Sequence, residues 1–452
     1  MSYQYDAAGR RTRITWPDSF YAQYDYDLTN AVTAIRENGA TSGDGVLATY
    51  AYDNLGRRLS MSRANGSGAT TVYDYDAAGR LEELAQQIDS PNSVSFDFTY
   101  NAASQAVTQD RTTSNSAYVW TQPANNTQNS TANGLNQIAQ LSGANFTYDG
   151  RGNLTSTSAT SYSYDVYNRL TGAGSATLAY DPAGRLYQTV GGGVTTRFQY
   201  DGVDLIAEYE EVNNVWVMQQ RYVHGPGIDE PIVQYEGSGT SDRRWLHQDR
   251  LGSVIAVSNS SGALIGSPNS YDEYGVPGSS NTGRFQYAAQ IWLPEVSAFH
   301  TSARVYLPQL GRFLQSDPLL CFGGLNLYIY VENDPINWVD PRGTQRAPAP
   351  DGGGGCAPPW CTPSDDLVIP APVSDDGPPI GYPLIIGMPN MPLVGEVVED
   401  DDIIVEAEGE KDLGECVMQC TLEHFGLSAV AASIVNSSNI DVPKRKVLEW
   451  NQ

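Results

Sequence analysis

The stretch Tyr73-Asp-Tyr-Asp-Ala-Ala-Gly-Arg80 decides the fold of this chain, because variants of it recur from the first residues to about residue 201. Two tyrosines two positions apart lie on the same face of an extended strand. Asp76 can accept hydrogen bonds from backbone N–H groups ahead of it, and Gly79 can adopt the positive φ that a tight turn requires. The stretch therefore predicts a strand, a hairpin turn of about three to five residues, and a return strand that begins at Arg80.

The copies share Tyr-Asp at the end of one strand and, in the clearest cases, Gly-Arg before the next. Adjacent copies are about 16 to about 26 residues apart, which is the length of two strands and two turns. Hairpins stacked edge to edge would bury a continuous aromatic row and cover every free strand edge except at the two ends. We interpret each Tyr-Asp as a strand end plus a turn; a carbohydrate-binding groove along the aromatic rows is the alternative. Clear copies have Tyr-Asp at Tyr5, Tyr52, Tyr75 and Tyr180, and looser copies at Tyr148, Tyr164 and Tyr200.

Composition narrows the classes of function. The 452 residues carry a net charge of −26 with a pI near 4.3, which argues against a nucleic-acid partner, because phosphate binding needs clustered Lys and Arg. No run of about 18 apolar residues is present, so we predict no membrane-spanning helix. The first residues, MSYQYDAAGRR, have none of the features of a signal peptide.

The segment 304–343, called here the junction segment, is dense and irregular. It contains an arginine, a Gly-Arg-Phe turn, a Gly-Gly-Leu-Asn-Leu-Tyr run and three Asp-Pro dipeptides. A long array of Tyr-Asp hairpins precedes it, and a Pro/Gly-rich, acidic tail follows it. We interpret the junction segment as a functional element that acts on the boundary between the hairpin array and the tail.

These features resemble the YD repeats of the Rhs family, which are shared with teneurin-like shells and with the C components of insecticidal toxin complexes. The stretch Trp245-Leu-His-Gln-Asp-Arg-Leu-Gly-Ser253 is similar to the family's WLHxDxLGS element, and the junction segment resembles the Rhs repeat-associated core. Tyr271-Asp-Glu-Tyr-Gly275 and Arg284-Phe-Gln-Tyr287 extend the match, so that it covers about three quarters of the chain.

The resemblance implies an all-β fold in which YD-repeat hairpins spiral into a hollow shell. The Pro/Gly-rich composition and the residue pattern of the tail predict that it is mostly disordered and partly helical. The implied organisation is a YD-repeat shell over 1–265, a Rhs repeat-associated core that plugs the shell over 266–343, a Pro/Gly-rich linker over 344–395 and a variable tip over 396–452. In bacterial members such a shell encloses a C-terminal polypeptide, commonly a toxin.

The resemblance also implies an aspartic autoprotease in the junction segment. Arg304, Asp317 and Asp340 fall at the matching motif positions, and the cut would fall between Thr344 and Gln345. Of two carboxyl groups held close together, one stays protonated as an acid while the other activates water, and an arginine stabilises the developing charge. The family usually has Leu where this chain has Thr344, and an inert plug is the alternative. Neither a cofactor nor a metal is predicted.

The tail offers no recognisable toxin catalytic motif, so self-cleavage is the one enzymatic activity we predict. Cys416, Cys420 and His424 share one face of a predicted helix, where packing, zinc or a disulfide to Cys356 or Cys361 are the alternatives. The acidic stretch 396–410 lacks the spacing of a calcium loop.

Three functions remain open from the sequence. The first is a polymorphic-toxin shell that carries and releases a C-terminal passenger, is secreted or displayed at the cell surface by a specialised bacterial system, and has an immunity protein as a further partner. The second is a non-enzymatic teneurin-like shell that acts in adhesion or carbohydrate binding. The third is a truncated remnant of a larger Rhs protein.

Overall fold

A computed structural model describes residues 1–63, 68–121, 129–320 and 324–349. Within these ranges the chain is antiparallel β-structure, and the helical segments are single 3₁₀ turns. In each sheet the strands lie side by side in chain order, so every connection is a hairpin. The predicted all-β fold of stacked hairpins is confirmed.

The first large sheet has ten strands in the order β1 to β10. Their bounds are Ser2–Tyr5, Arg11–Thr15, Tyr21–Tyr26, Val32–Glu37, Val46–Tyr52, Arg58–Ser62, Thr70–Tyr75, Leu81–Gln87, Val94–Tyr100 and Ala106–Thr113. Two small sheets follow, one of β11 to β13 and one of β14 and β15. Their bounds are Ser130–Ala132, Ile138–Leu141, Ala144–Asn145, Thr147–Tyr148 and Leu154–Ser156.

The second large sheet also has ten strands, β16 to β25. Their bounds are Tyr162–Tyr164, Leu170–Ala173, Ala176–Tyr180, Leu186–Gly191, Val194–Asp201, Asp204–Val212, Val215–His224, Pro231–Glu236, Arg243–Gln248 and Val254–Ser258. A four-stranded sheet of β26 to β29 and a two-stranded sheet of β30 and β31 complete the described chain. Their bounds are Ile291–Leu293, Ala298–Thr301, Arg304–Leu307, Arg312–Phe313, Trp338–Val339 and Ala347–Pro348.

The turn after each Tyr-Asp has one recurring geometry, which Asp76 illustrates. Its Oδ1 accepts the backbone N–H groups of Ala78 and Arg80, both at 2.9 Å, and its Oδ2 accepts Arg80 Nε at 2.7 Å. Gly79 donates its N–H to the Asp76 carbonyl at 2.9 Å and has φ +84°, which suits glycine. The side chain thus satisfies N–H groups that the strand ladder leaves unpaired.

Turns that the sequence pattern missed use the same geometry. In three of them asparagine takes the place of aspartate, because the side-chain oxygen of asparagine accepts the same two N–H groups. Turns with both backbone bonds occur at Asp6, Asp27, Asp53, Asp76, Asn101, Asn133, Asp149, Asp165, Asp249, Asn259 and Asp272.

Tyrosine and arginine side chains that recur in the pattern join successive hairpins. The hydroxyl of Tyr75 donates to the carbonyl of Arg58 in the preceding hairpin at 2.9 Å, and the Arg57 guanidinium lies 4.5 Å from the centre of the Tyr75 ring. Tyr100 repeats both contacts, with the Leu81 carbonyl at 2.6 Å and the Arg80 guanidinium at 4.7 Å. In these two cases one unit is therefore fixed to the next by one hydrogen bond and one cation–π contact.

Aromatic residues of the rows, such as Tyr24, Tyr50 and Phe98, lie in buried clusters rather than along an open groove. One buried cluster combines residues of β2 to β6 with residues of β21 to β24, so the two large sheets pack against each other. Trp16 Nε1 donates to the Ile206 carbonyl at 3.3 Å, and Trp245 Nε1 donates to the Leu47 carbonyl at 2.9 Å, which ties the sheets together. At one edge of the first sheet all four residues of β1 are exposed.

Candidate self-cleavage site

The three predicted site residues come from three separate parts of the junction segment and meet in the structure. Arg304 begins β28, Asp317 follows β29, and Asp340 follows β30. Arg304 Nη2 lies 2.9 Å from Asp317 Oδ2 and 3.3 Å from Asp340 Oδ2. All three side chains are buried, with exposed residue fractions of 3%, 4% and 3%. Two carboxyl groups therefore share one guanidinium nitrogen away from solvent.

Local turns hold the two aspartates. Asp317 donates its N–H to the Leu327 carbonyl at 3.0 Å, and its Oδ1 accepts the N–H of Leu319 at 2.8 Å. Asp340 Oδ1 accepts the N–H groups of Thr344 at 3.0 Å and Gln345 at 3.2 Å. Each aspartate thus uses Oδ1 on the backbone and turns Oδ2 to Arg304.

The guanidinium is fixed by further contacts. Nη1 donates to the Leu327 carbonyl at 3.1 Å, and Nε donates to the carbonyl oxygen of Gly343. The group lies over the Phe313 ring, 3.6 Å from the ring centre. Arg304 therefore polarises the backbone carbonyl one residue before Thr344. Phe313 was part of a motif noted in the sequence, but no spacing rule relates it to Arg304.

Gly343 is required by the close approach of this segment to β27 and β28. Its φ is +68°, and a Cβ atom there would overlap Thr301 Oγ1 and lie 2.7 Å from the Thr301 carbonyl oxygen. No sequence signal pointed to Thr301, since the contact exists only in the tertiary structure.

Burial dominates the electrostatics of the cluster. It raises the pKa of Asp317 to about 6, although Arg304 opposes the shift. Burial also raises the pKa of Asp340, against the opposing effects of Arg304 and of the N–H of Thr344. It lowers the pKa of Arg304, which its two carboxylate partners counteract. The site can therefore hold one protonated and one ionised carboxyl group close to neutral pH.

The predicted cut lies against this cluster. The N–H of Gln345, which would become the leaving amine, contacts Asp340 Oδ1, and Thr344 is buried. The third Asp-Pro aspartate, Asp334, has a different role. Its two carboxylate oxygens accept Asn337 Nδ2 at 2.9 and 3.1 Å, which caps a local turn.

The cysteines, His424 and the acidic stretch 396–410 lie outside the described residues, as do the predicted linker beyond residue 349 and the tip. Among the described residues, no group of three His, Cys, Asp or Glu side chains is arranged to hold a metal ion. The same part of the chain contains no helix with the length and apolar character needed to cross a membrane.

Part of the chain is similar to curated bacterial proteins, among them a nuclease and a toxin. No family model matches the chain. A tRNA(Glu)-specific nuclease, WapA of Bacillus subtilis subsp. natto, is 30% identical over 171 residues, which is 35% of this chain and 7% of the relative. Double-stranded DNA deaminase toxin A of Burkholderia cenocepacia is 26% identical over 167 residues, which is 33% of this chain and 12% of the relative. The chain thus spans only a small part of the curated relatives it matches.

The fold has a counterpart among solved structures. A chain of the Photorhabdus luminescens Tc holotoxin pore matches with a TM-score of 0.51 and 16% identity, over 76% of this chain and 21% of that one. The hairpin array, its closing junction segment and these matches define a YD-repeat shell protein. Over the matched residues the chain is similar to these Rhs-type proteins, and its fold is similar to that of the Tc holotoxin chain.

Proposed function

We propose that this protein is an Rhs-type toxin shell that carries a C-terminal polypeptide and cuts its own chain between Thr344 and Gln345. The observation that carries the proposal is the buried cluster of Arg304, Asp317 and Asp340, in which Asp340 contacts the N–H of the predicted cut. In this organisation residues 1–265 form the shell, 266–343 the core, 344–395 the linker and 396–452 the tip.

The geometry supports a division of roles between the two carboxyl groups. Ionised Asp317 takes a proton from a water molecule as the oxygen of that water adds to the carbonyl carbon of Thr344. Asp340, whose Oδ1 accepts the N–H of Gln345, holds the leaving amine, and the proton that Asp317 took from the water passes to the nitrogen of Gln345 as the C–N bond breaks. Arg304 stabilises whichever carboxyl group is charged, and its bond to the Gly343 carbonyl fixes the segment that is cut.

The passenger in this proposal begins at Gln345 and includes the 108 residues that follow Thr344 in this sequence. One relative is named a toxin and the other a tRNA nuclease, which supports a toxin passenger, export from the producing cell, and a cognate immunity protein as a partner. The adhesion and carbohydrate-binding alternative has no comparable support, because the aromatic rows of the large sheets pack into buried clusters.

The test compares the wild-type chain with Asp317→Asn and Asp340→Asn on a denaturing gel, with mass spectrometry of the products. We expect the wild type to give two fragments, the smaller beginning at Gln345, and both variants to remain intact. Asp334→Asn is the matched control, because Asp334 is also followed by proline but contacts Asn337 instead of Arg304. An intact wild-type chain, or a cut that persists in both site variants, would overturn the proposal.

A further inference from the structure

The residues immediately downstream of the proposed cut form a strand on the junction segment. In this pair Trp338 of β30 lies opposite Pro348, and Val339 lies opposite Ala347. The N–H of Ala349 extends the pairing by donating to the Asn337 carbonyl at 3.0 Å. Pro348 has no N–H group, and its neighbour Ala349 makes the bond instead. The pairing thus begins two residues beyond Gln345.

Side chains strengthen this short pairing. The Arg346 guanidinium lies over the Trp338 ring, 4.5 Å from its centre, and forms an ion pair with Glu332. Ala347 packs against the aromatic cluster that contains Tyr330. Ala349 is buried, whereas its neighbour Pro348 is exposed. The strand therefore has an apolar and a charged contact in addition to its backbone bonds.

Asn337 connects this strand to the hairpin array. Its Nδ2 donates to both carboxylate oxygens of Asp334, and its Oδ1 accepts the N–H of Ala106 at 2.7 Å. Ala106 begins β10, the last strand of the first large sheet. The surface that receives β31 is thus braced by the shell and does not depend on an unbroken bond after Thr344.

We propose that β31 is a docking strand, which seats the downstream side of the cut on the junction segment and holds the cut product by the same contacts. The inference rests on the proposed function, because it assigns the binding of that same substrate segment. The contacts of Arg346, Ala347 and Ala349 lie wholly downstream of the bond that breaks, so hydrolysis removes none of them. The fold therefore predicts that cutting does not separate the two fragments until β30 and β31 come apart.

The test uses two variants of the full chain. Ala349→Pro removes the N–H that donates to the Asn337 carbonyl, and Arg346→Ala removes the contacts to Trp338 and Glu332. Arg244→Ala is the matched control. Arg244 lies on β24 and, like Arg346, is a partly exposed arginine that forms an ion pair, in this case with Glu236. The measurements are the time course of cutting in cell-free translation and hydrogen exchange, by mass spectrometry, of the peptide that covers residues 345–349.

We expect each docking variant to slow cutting and to speed exchange at residue 347 by about tenfold, with Arg244→Ala unchanged. Exchange at residue 349 should rise in the same way in Arg346→Ala, the docking variant that keeps an N–H at that position. Equal exchange in the wild type and Ala349→Pro would overturn the docking strand. An uncut wild-type chain would instead overturn the proposed function, and exchange in that uncut chain would still decide whether β31 is paired. Normal cutting in both variants, at the same bond and rate, would show that β31 does not seat the substrate.

Discussion

The same Asp-x-x-Gly turn occurs in the hairpins and at the proposed cut, with opposite electrostatic results. In the turn Asp76 to Gly79, and in the turn Asp340 to Gly343, the glycine donates to the carbonyl of the aspartate and has a positive φ. In both turns Oδ1 of the aspartate accepts the N–H of the residue four positions on. The backbone geometry is therefore shared.

What differs is the source of the guanidinium and the burial of the pair. In the hairpin, Arg80 is the next residue after the glycine, and the side chains of Arg80 and Asp76 are 27% and 20% exposed. At the cut, Thr344 follows the glycine, and the guanidinium comes from Arg304 in another strand, with the side chains of Arg304 and Asp340 3% and 4% exposed.

The pKa values follow this difference. The hydrogen bond from Arg80 lowers the pKa of Asp76, whereas burial raises the pKa of Asp340 despite Arg304. An ion pair near water favours the charged form, while desolvation of a buried pair disfavours it. One turn motif thus serves as a fixed structural link in the hairpins and as a titratable group in the junction segment.

The largest predicted effect comes from Gly343→Ala compared with Gly56→Ala. Both glycines have a positive φ, but nothing lies within 4 Å of the Cβ position of Gly56, whereas at Gly343 that position overlaps Thr301. We expect Gly56→Ala to lower the free energy of unfolding by about 1–2 kcal/mol through backbone strain alone. Gly343→Ala adds overpacking, for a total of about 3–5 kcal/mol, and abolishes cutting. Urea unfolding measures both, and equal losses would contradict the seating of Gly343 against β27.

A smaller effect is expected from the titration of Asp317. Its folded pKa is about 6 and its usual value is 3.8, so between these values the folded chain keeps a proton that the unfolded chain has lost. Stability contributed by this group is therefore present below about pH 4 and declines as pH rises through about 6, by at most about 3 kcal/mol. Asp317→Asn should remove this decline. Thermal melts from pH 4 to 7 test it, and an unchanged slope in the variant would rule out the raised pKa.

The smallest effect is expected from Asp76→Asn in a hairpin turn. Asn101, Asn133 and Asn259 already occupy this position in other turns, so the backbone bonds should survive. Because the pKa of Asp76 is lowered, its charge stabilises the fold above about pH 3.8 and ceases to do so as pH falls through the lower folded value. We expect a slightly lower melting midpoint at neutral pH and no difference in strong acid. A difference that grows towards low pH would refute the assignment.

The sequence predicted the hairpin fold well because each turn is encoded locally. Asp76, Gly79 and Arg80 lie within five residues, and their contacts depend only on that spacing. Turns with asparagine, such as the one at Asn101, were missed because the pattern was defined by Tyr-Asp, although a rule of Asp or Asn with a donor four positions on would have found them.

For the candidate site, motif resemblance named Arg304, Asp317 and Asp340, and the structure brings these side chains together. Motif resemblance could not indicate that Phe313 packs against Arg304 or that Thr301 contacts Gly343. Those contacts join strands that are distant in sequence, and no local spacing encodes them.

By itself the sequence determined the repeating hairpins, their Asp-x-x-Gly turns and the existence of a distinct junction segment, since these depend on contacts within a few residues. Only the tertiary structure decided that Asp317 and Asp340 are buried against Arg304, where burial raises their pKa values, and that residues 347–349 pair with β30 beyond the proposed cut. The physical reason is that burial and strand pairing across distant segments arise from how the whole chain packs.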